Sequence, residues 1–237
     1  MRRSLLRISK ISCISLAVAT AADASELHFQ SSEKQTALVE LYTSEGCSSC
    51  PPAEAWFSGL KSDPGLWKVF VPLAFHVDYW DRLGCRDRFS LPAWTERQNK
   101  YASLLQSESV YTPEVLRNGE EWRDWIRNRQ MLKNDAKNAG SLSATTADAK
   151  NFSISYRSGD NSKLEAHVAL LGCGITSRVG GGENDGRQLE HDFVVLAHRS
   201  ASMKNSSGSE QTDVALDSLG PGDVAEKAIA VWITREN

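Results

Sequence analysis

Short apolar runs and helical apolar repeats alternate through the first half of the chain. A run such as KVFVPLAFHV is too short and too apolar for anything but a largely buried strand, whereas apolar residues spaced three or four apart indicate a helix. Clusters of Pro, Gly, Asn and Asp end these segments. The alternation predicts an α/β layer. The predicted strands cover residues 37–43, 68–77 and 114–116, and the predicted helices cover 52–62, 92–105 and 121–138.

The pattern changes after about residue 140. Residues 141–146 form a small polar linker, and the segments beyond it are strand-like runs separated by Gly, Asn, Asp and Ser clusters. We therefore expect a first unit over residues 37–140 and a second, β-rich unit over residues 147–237. The runs of the second unit are 152–156, 164–171, 188–197 and 228–234.

The amino-terminal segment has the features of a signal peptide. Four basic residues precede an apolar or small stretch over residues 11–22, and Ala22-Asp23-Ala24 offers small residues for cleavage before Ser25. A stretch of about twelve residues is short for a retained anchor, which needs about twenty. We expect residues 1–24 to be removed, residues 25–36 to form a loose leader, and the protein to be periplasmic or secreted.

Composition excludes some kinds of partner. The formal net charge is −3, the isoelectric point is about 6.0 and the mean hydropathy is −0.39. A chain of this charge lacks the basic surface that binds phosphates, and we expect no nucleic-acid partner. After signal cleavage we also expect no membrane span, and no motif in the sequence calls for a cofactor.

The sequence Cys47-Ser-Ser-Cys50, followed by two prolines, stands between a predicted strand and a predicted helix. Unpaired amides and the dipole at a helix amino terminus lower the pKa of a thiol, so we expect Cys47 to be an exposed, easily ionised thiol and the candidate nucleophile. Cys50 lies one turn away, where it can resolve a mixed disulfide. Two alternatives stay open, namely half of a zinc site and an inert structural disulfide.

Four blocks of the chain resemble an exported bacterial thioredoxin-like family of unknown function. They are residues 39–52 (VELYTSEGCSSCPP), 75–83 with 87–89 (FHVDYWDRL and DRF), 111–113 (YTP) and 182–187 (GENDGR). The resemblance implies an α/β thioredoxin-like domain followed by a β-rich carboxyl-terminal domain. Family members tend to carry Trp where this chain has Cys85, so the resemblance assigns that thiol no role.

The same resemblance implies a role for Pro113. In thioredoxin-like folds a cis proline faces the CxxC motif and leaves a backbone edge that pairs with an extended substrate. Pro113 matches this proline by position, so the Thr112–Pro113 bond is expected to be cis. Together these features predict a thiol-disulfide oxidoreductase that acts on protein or small-molecule thiols and disulfides. The oligomeric state and the substrate are not predicted.

Glu40 is a candidate proton acceptor. If its side chain points beneath the cysteines, burial would raise its pKa and allow it to accept the proton that Cys50 loses. A one-residue change of register would point it to the other face, and a solvated residue or an ion pair is then the alternative.

A metal-binding or interaction module is the alternative function. His76 and Asp78 share a strand face, and two thiolates (Cys47 and Cys50) with the His76 imidazole would suit copper or zinc. A histidine that is simply hydrogen bonded within the fold is the competing interpretation. Cys85 and Cys173 either pair or stay free, and His167, His191 and His198 have no spacing that suggests ligands.

Overall fold

The structure is a computed structural model that describes residues 13–15, 26–84, 86–126, 137–157, 162–206, 208–217 and 223–236. The expected signal peptide lies outside the described residues, apart from the backbone of residues 13–15. Cys85 and much of the predicted helix over 121–138 also lie outside them. Within these ranges, no helix is long and apolar enough to cross a membrane.

A mixed sheet of eight strands forms the centre of the fold. Strand β4 (Phe70–His76) pairs in parallel with β3 (Ala37–Thr43) and with β12 (Val194–Ser202), and the other pairs are antiparallel. Every residue of β3 and β4 is buried, as expected for strands covered on both faces. The strands in spatial order are β1 (Cys13–Ser15), β15 (Glu226–Arg235), β9 (Leu164–Cys173), β12 (Val194–Ser202), β4 (Phe70–His76), β3 (Ala37–Thr43), β5 (Glu114–Arg117) and β6 (Glu120–Glu121).

A second sheet of five antiparallel strands packs against the end of the first sheet that carries β9 and β15. Buried residues alternate with half-buried or exposed ones along its strands β7 (Ser141–Thr146) and β8 (Asn151–Arg157), because one face meets the core and the other faces solvent. A separate ribbon pairs β10 with β11. The strands of the sheet in order are β13 (Lys204–Ser206), β14 (Ser209–Ala215), β8 (Asn151–Arg157), β7 (Ser141–Thr146) and β2 (Leu27–Gln30), and those of the ribbon are β10 (Ile175–Arg178) and β11 (Gln188–His191).

Two α-helices, α1 (Pro51–Gly59) and α2 (Pro92–Leu105), are present among the described residues. They cover opposite faces of β3, because successive side chains of a strand point to opposite sides. Val39 and Leu41 pack with α1, whereas Leu38 and Tyr42 pack with α2. Short 3-10 helices are Leu60–Ser62, Asp81–Leu83, Arg123–Ile126 and Gly182–Asn184.

The predicted α/β thioredoxin-like fold class is wrong. The described chain is mostly β, and β3, β4 and β5 do not form a separate α/β layer. Instead β12, from the second half of the chain, joins the edge of β4, with Val194 opposite Ala74. An apolar run shows that a strand is buried, but it does not show which distant strand lies beside it. The division into two units near residue 140 stays a prediction.

Two local expectations also differ from the structure. The segment expected to be a loose leader contains β2, which pairs with β7. The beginning of the helix predicted over 121–138 is replaced by β6 and the 3-10 helix Arg123–Ile126. Trp122 and Trp125 there pack against Trp56 of α1, edge to face and tilted, at 5.7 and 5.2 Å between ring centroids. Their helical spacing therefore reflects packing on α1.

Candidate functional site

The cysteine pair lies in the turn between β3 and α1. Cys47 and Cys50 form a disulfide bond. The Cys50 carbonyl oxygen accepts hydrogen bonds from the amides of Ala53 and Glu54, at 2.9 and 3.1 Å, and so begins the helix. The two prolines after Cys50 fill the first helical positions, where no intrahelical donor is needed. The predicted strand, turn and helix around the CxxC sequence are confirmed.

Both cysteines are buried in this oxidised form, with 0% of either residue exposed. The Cys47 sulfur lies 3.3 Å from Ser49 Oγ and 3.8 Å from the carbonyl oxygen of Thr112. The expectation of an exposed Cys47 sulfur is therefore wrong for the disulfide form, although the sulfur contacts polar atoms. An attacking thiol reaches this sulfur only when the surrounding chain moves.

Pro113 lies beside the disulfide, next to the residue whose carbonyl oxygen faces Cys47. The Thr112–Pro113 peptide bond is cis, as expected. The Thr112 hydroxyl accepts a hydrogen bond of 2.8 Å from the Trp80 indole, which holds this segment in place. Pro113 also lines a cavity of about 310 Å³ with Tyr111, Trp122 and Trp125. An open aromatic surface therefore begins next to the cysteine pair.

The loop between β10 and β11, residues 182–187, closes over the CxxC turn. The Asn184 side-chain amide donates to the carbonyl oxygens of Glu45 and Cys47, at 2.9 and 2.8 Å. The Glu183 carboxylate accepts from the Ser48 amide and hydroxyl, at 3.0 and 2.6 Å. These hydrogen bonds lower the pKa of Glu183. We call the Glu183–Ser48 pair and the Asn184 bonds the turn clamp.

A close backbone approach explains the glycine at position 182. Gly182 has a φ of +72°, and a Cβ atom there would lie 3.3 Å from the Cα of Gly46. Both the positive φ and this approach favour glycine. The GENDGR block therefore has a structural function at the CxxC turn, which its sequence alone did not indicate.

A buried group of three carboxylates and two imidazoles lies beside the CxxC turn, and we call it the carboxylate–imidazole cluster. His76 Nδ1 lies 2.6 Å from Asp87 Oδ2. His191 Nε2 lies 3.2 Å from Glu45 Oε1, and His191 Nδ1 lies 2.9 Å from Glu54 Oε2. The Thr43 hydroxyl donates to the other Glu54 oxygen. The two imidazole rings meet edge to face at 5.1 Å.

The charges in this cluster control its pKa values. Burial alone would lower the pKa of His191, but its hydrogen bonds to Glu45 and Glu54 outweigh burial and raise it to about 10. Burial would raise the pKa of Glu54, but His191 and His76 hold it below its ordinary value. Burial would also raise the pKa of Asp87, but the charge of His76 and its hydrogen bond lower that pKa to about 2. The cluster is therefore a set of coupled charges.

Glu40 lies on the α2 face of β3, whereas the cysteine turn leads into α1. Arg97 Nε donates to Glu40 Oε1 at 2.8 Å, and the Tyr101 hydroxyl donates to Glu40 Oε2 at 2.8 Å. Both carboxylate oxygens are thus held by α2 in a buried ion pair. The structure places Glu40 in the ion-pair arrangement that was the alternative to the proton acceptor.

His76 binds a different aspartate from the one beside it in the sequence. Asp78 accepts a hydrogen bond of 2.5 Å from Thr95, while Asp87 bonds His76. The alternative metal site of Cys47, Cys50 and His76 needs two thiolates, whereas the cysteines are joined here. Among the described residues, the potential ligand atoms that converge within 4.8 Å belong to Glu54, His76 and His191.

Of the cluster residues, sequence reasoning singled out His76 alone and missed Glu45, Glu54, Asp87 and, in a distant strand, His191. His191 is far from His76 in the chain and has no ligand-like spacing. Its one signal is the alternation of β11, where Leu189 and His191 are buried and Gln188 and Glu190 are exposed. Cys173 is a free thiol, and burial raises its pKa to about 11. Cys85, its possible partner in the sequence analysis, lies outside the described residues.

Residues 38–234 match the family described as Protein of unknown function (DUF1223), so the chain belongs to this family. No curated protein matches the chain. A crystal structure of a protein from Agrobacterium tumefaciens is similar at 25% identity and a TM-score of 0.55, over 76% of this chain and 78% of that one. HBP35 of Porphyromonas gingivalis is similar at 12% identity and a TM-score of 0.56, over 86% of this chain and 70% of that one. The second likeness concerns the fold alone.

Proposed function

We propose that the protein is an exported thiol-disulfide oxidoreductase in which Cys47 is the nucleophile and Cys50 is the resolving cysteine. The observation that supports this most directly is the Cys47–Cys50 disulfide at the amino end of α1, beside Pro113. The basic, apolar and small segments at the amino terminus support export to an oxidising compartment.

The chemistry exchanges one disulfide for another. In the reduced protein the Cys47 thiolate attacks a substrate disulfide, a Cys47–substrate bond forms, and one substrate sulfur leaves as a thiolate that takes a proton. The Cys50 thiolate then attacks the Cys47 sulfur. This step forms the Cys47–Cys50 bond and releases the second substrate thiol. With a dithiol substrate and the oxidised protein, the same steps proceed in reverse and the substrate is oxidised to a disulfide.

The residues around the cysteine pair affect the acidity of Cys47, the binding of a substrate and access to the two sulfurs. The reduced Cys47 sulfur would lie near the amides that begin α1, which favour a thiolate. The cavity beside Pro113 offers an aromatic surface for an extended thiol substrate. The turn clamp must open, because neither sulfur is exposed. Glu40 has no part in this proposal, since both of its oxygens bind α2.

The test compares three single variants in glutathione exchange and in reduction of insulin. Cys47→Ser is expected to abolish exchange, because no nucleophile remains. Cys50→Ser is expected to accumulate a mixed disulfide at Cys47, visible as added mass. Cys173→Ser, the matched control, is expected to retain the wild-type rate.

Thermal unfolding of each variant shows whether the fold survives. Wild-type exchange by Cys47→Ser would overturn the proposal. So would a Cys47–Cys50 bond that resists an excess of dithiothreitol in the folded protein, since this behaviour identifies a structural disulfide.

A further inference from the structure

Each histidine of the carboxylate–imidazole cluster directs one ring nitrogen to a carboxylate. His76 directs Nδ1 to Asp87, and His191 directs Nε2 to Glu45. Histidines that bind metals almost always donate their second ring N–H to a carboxylate or a carbonyl, which fixes the tautomer and the ring orientation. Each imidazole therefore has a carboxylate on one nitrogen and its other nitrogen directed to the centre of the cluster.

Of the atoms at the centre, Glu54 Oε2 and His191 Nδ1 face each other as an ion pair at 2.9 Å, whereas His76 Nε2 has no partner among the described residues. Only 1% of the His76 side chain is exposed, yet Nε2 makes no hydrogen bond among the described residues. Buried polar atoms in proteins are almost always satisfied. A cavity of about 10 Å³ lies against this site, and Glu54, His76 and His191 line it. This volume suits a single small occupant, an ion or a water molecule.

The three buried carboxylates of the cluster need compensating positive charge. Glu45, Glu54 and Asp87 are each at least nine-tenths buried. Their described partners include no Lys or Arg side chain. Even two protonated imidazoles leave one uncompensated negative charge, which is costly to bury. A divalent ion with neutral imidazoles supplies the same compensation and also occupies His76 Nε2.

We propose that Glu54, His76 and His191 bind a divalent transition metal ion, with zinc as the first candidate. Two imidazoles and one carboxylate are a common zinc ligand set that leaves a fourth position open. The three ligand atoms lie within 4.8 Å of one another, and His191 Nδ1 is 2.9 Å from Glu54 Oε2. Zinc bonds of about 2.0 Å place tetrahedral ligand atoms about 3.3 Å apart, so small side-chain shifts complete the site.

This site differs from one built on the cysteines. Its ligands come from α1, β4 and β11, and none of them is a thiolate. Zinc binding therefore does not require reduction of the Cys47–Cys50 bond. The site also does not depend on the proposed exchange activity, so each proposal can fail alone.

The experiment measures zinc binding to the full chain by isothermal titration calorimetry after treatment with a chelator. Wild-type protein is expected to bind one zinc ion per chain. His76→Gln and Glu54→Gln are each expected to weaken binding at least tenfold, and Asp87→Asn about tenfold or more through loss of the supporting hydrogen bond. His198→Gln, which removes a half-buried histidine outside the cluster, is the matched control and should bind as the wild type does.

Cobalt(II) identifies the ligands by absorption spectroscopy. We expect visible bands of a site with nitrogen and oxygen ligands, without the near-ultraviolet charge-transfer band that a thiolate gives, and the same spectrum in a Cys47→Ser/Cys50→Ser variant. A thiolate band, or loss of binding in that double variant, would assign the metal to the cysteines and overturn the proposal.

Two further results contradict it. One is wild-type zinc affinity in both His76→Gln and Glu54→Gln, which would place the ion elsewhere. The other is the absence of stoichiometric zinc binding to folded wild-type protein, which would mean that water and not a metal ion occupies the cavity. A zinc-dependent rise in the melting temperature, expected for wild type and not for Glu54→Gln, shows that the folded state is the one that binds.

Discussion

Two pairs of histidines in this protein have opposite electrostatic surroundings. In the carboxylate–imidazole cluster, three carboxylates face His76 and His191. Elsewhere His167 and His198 stack with Trp232, at 5.0 to 5.3 Å between ring centroids, and we call these three residues the imidazole–indole stack. The stack spans the adjacent strands β15, β9 and β12, with Trp232 directly opposite His167.

The pKa values follow these surroundings. Hydrogen bonds to carboxylates outweigh burial and raise the pKa of His191 to about 10. In the stack, burial together with the charges of Arg97 and Arg199 lowers the pKa of His198 to about 3. Burial also holds the pKa of His167 well below its ordinary value. The carboxylates of the cluster thus favour a charged imidazole or a bound cation, whereas the stack favours the neutral ring, so the neighbours decide the chemistry of the side chain.

The largest expected effect comes from replacing Arg97, the cation beside the imidazole–indole stack. Arg97 lies 5.8 Å from the Trp232 ring and pairs with Glu40, whose side chain is 0% exposed. Arg97→Met is expected to lower the free energy of unfolding by ~3–5 kcal/mol, because the Glu40 carboxylate is left buried without a partner. Urea denaturation measures this change.

Two variants control that measurement. The Glu40→Gln/Arg97→Met double variant should recover part of the loss, since it removes the unpaired charge. Arg199→Met breaks an exposed ion pair with Asp217 and should cost less than about 1 kcal/mol. Equal losses in Arg97→Met and Arg199→Met would show that the buried pair contributes no more than a surface pair.

The second test uses pH. The folded pKa of His198, about 3, lies below its unfolded value of about 6.5, so the unfolded state binds the extra proton between these values. The stability that neutral His198 contributes is complete above about pH 6.5 and is lost as the pH falls toward 3. The slope approaches about 1.4 kcal/mol per pH unit for each histidine that titrates.

His198→Gln isolates this contribution. The variant keeps a hydrogen-bonding group beside His167, Arg97 and Arg199 but does not titrate. Its free energy of unfolding should fall less steeply than that of the wild type between about pH 6.5 and 5, a range above the ordinary carboxylate pKa values. Parallel curves would show that His198 is not held neutral.

The smallest expected effect concerns the turn clamp beside the cluster. Glu183→Ala removes the acceptor of both Ser48 hydrogen bonds and should let the CxxC turn open more often. Reduction of the Cys47–Cys50 bond by dithiothreitol should then be about threefold to tenfold faster. Glu190→Ala, on the exposed side of β11, is the control. An unchanged rate in Glu183→Ala would mean that access to the sulfurs does not depend on this bond.

Local patterns predicted most elements and one part of the site. Apolar runs located β3, β4 and β5, and helical spacing located α2 over Pro92–Leu105. The CxxC turn was found because its disulfide, its prolines and the start of its helix all involve residues a few positions apart. Interactions between residues that lie this close in the chain can be predicted from the sequence.

Long-range pairing produced the errors. The fold class was wrong because β12 joins β4 from a distant part of the chain. Glu40 could not be assigned because one step of register separates the α1 face from the α2 face of β3. Cys47 was expected to be exposed because the loop over residues 182–187, which closes the turn, is far away in sequence.

The amino-acid sequence by itself determined the cysteine pair, the proline near it and the segments that become strands and helices, because each depends on neighbouring residues. The tertiary structure alone decided which residues surround that pair. Glu54 and His76 meet His191 only after strands from both halves of the chain pack together. Charge compensation inside a protein depends on distance through space, and no local pattern records that distance.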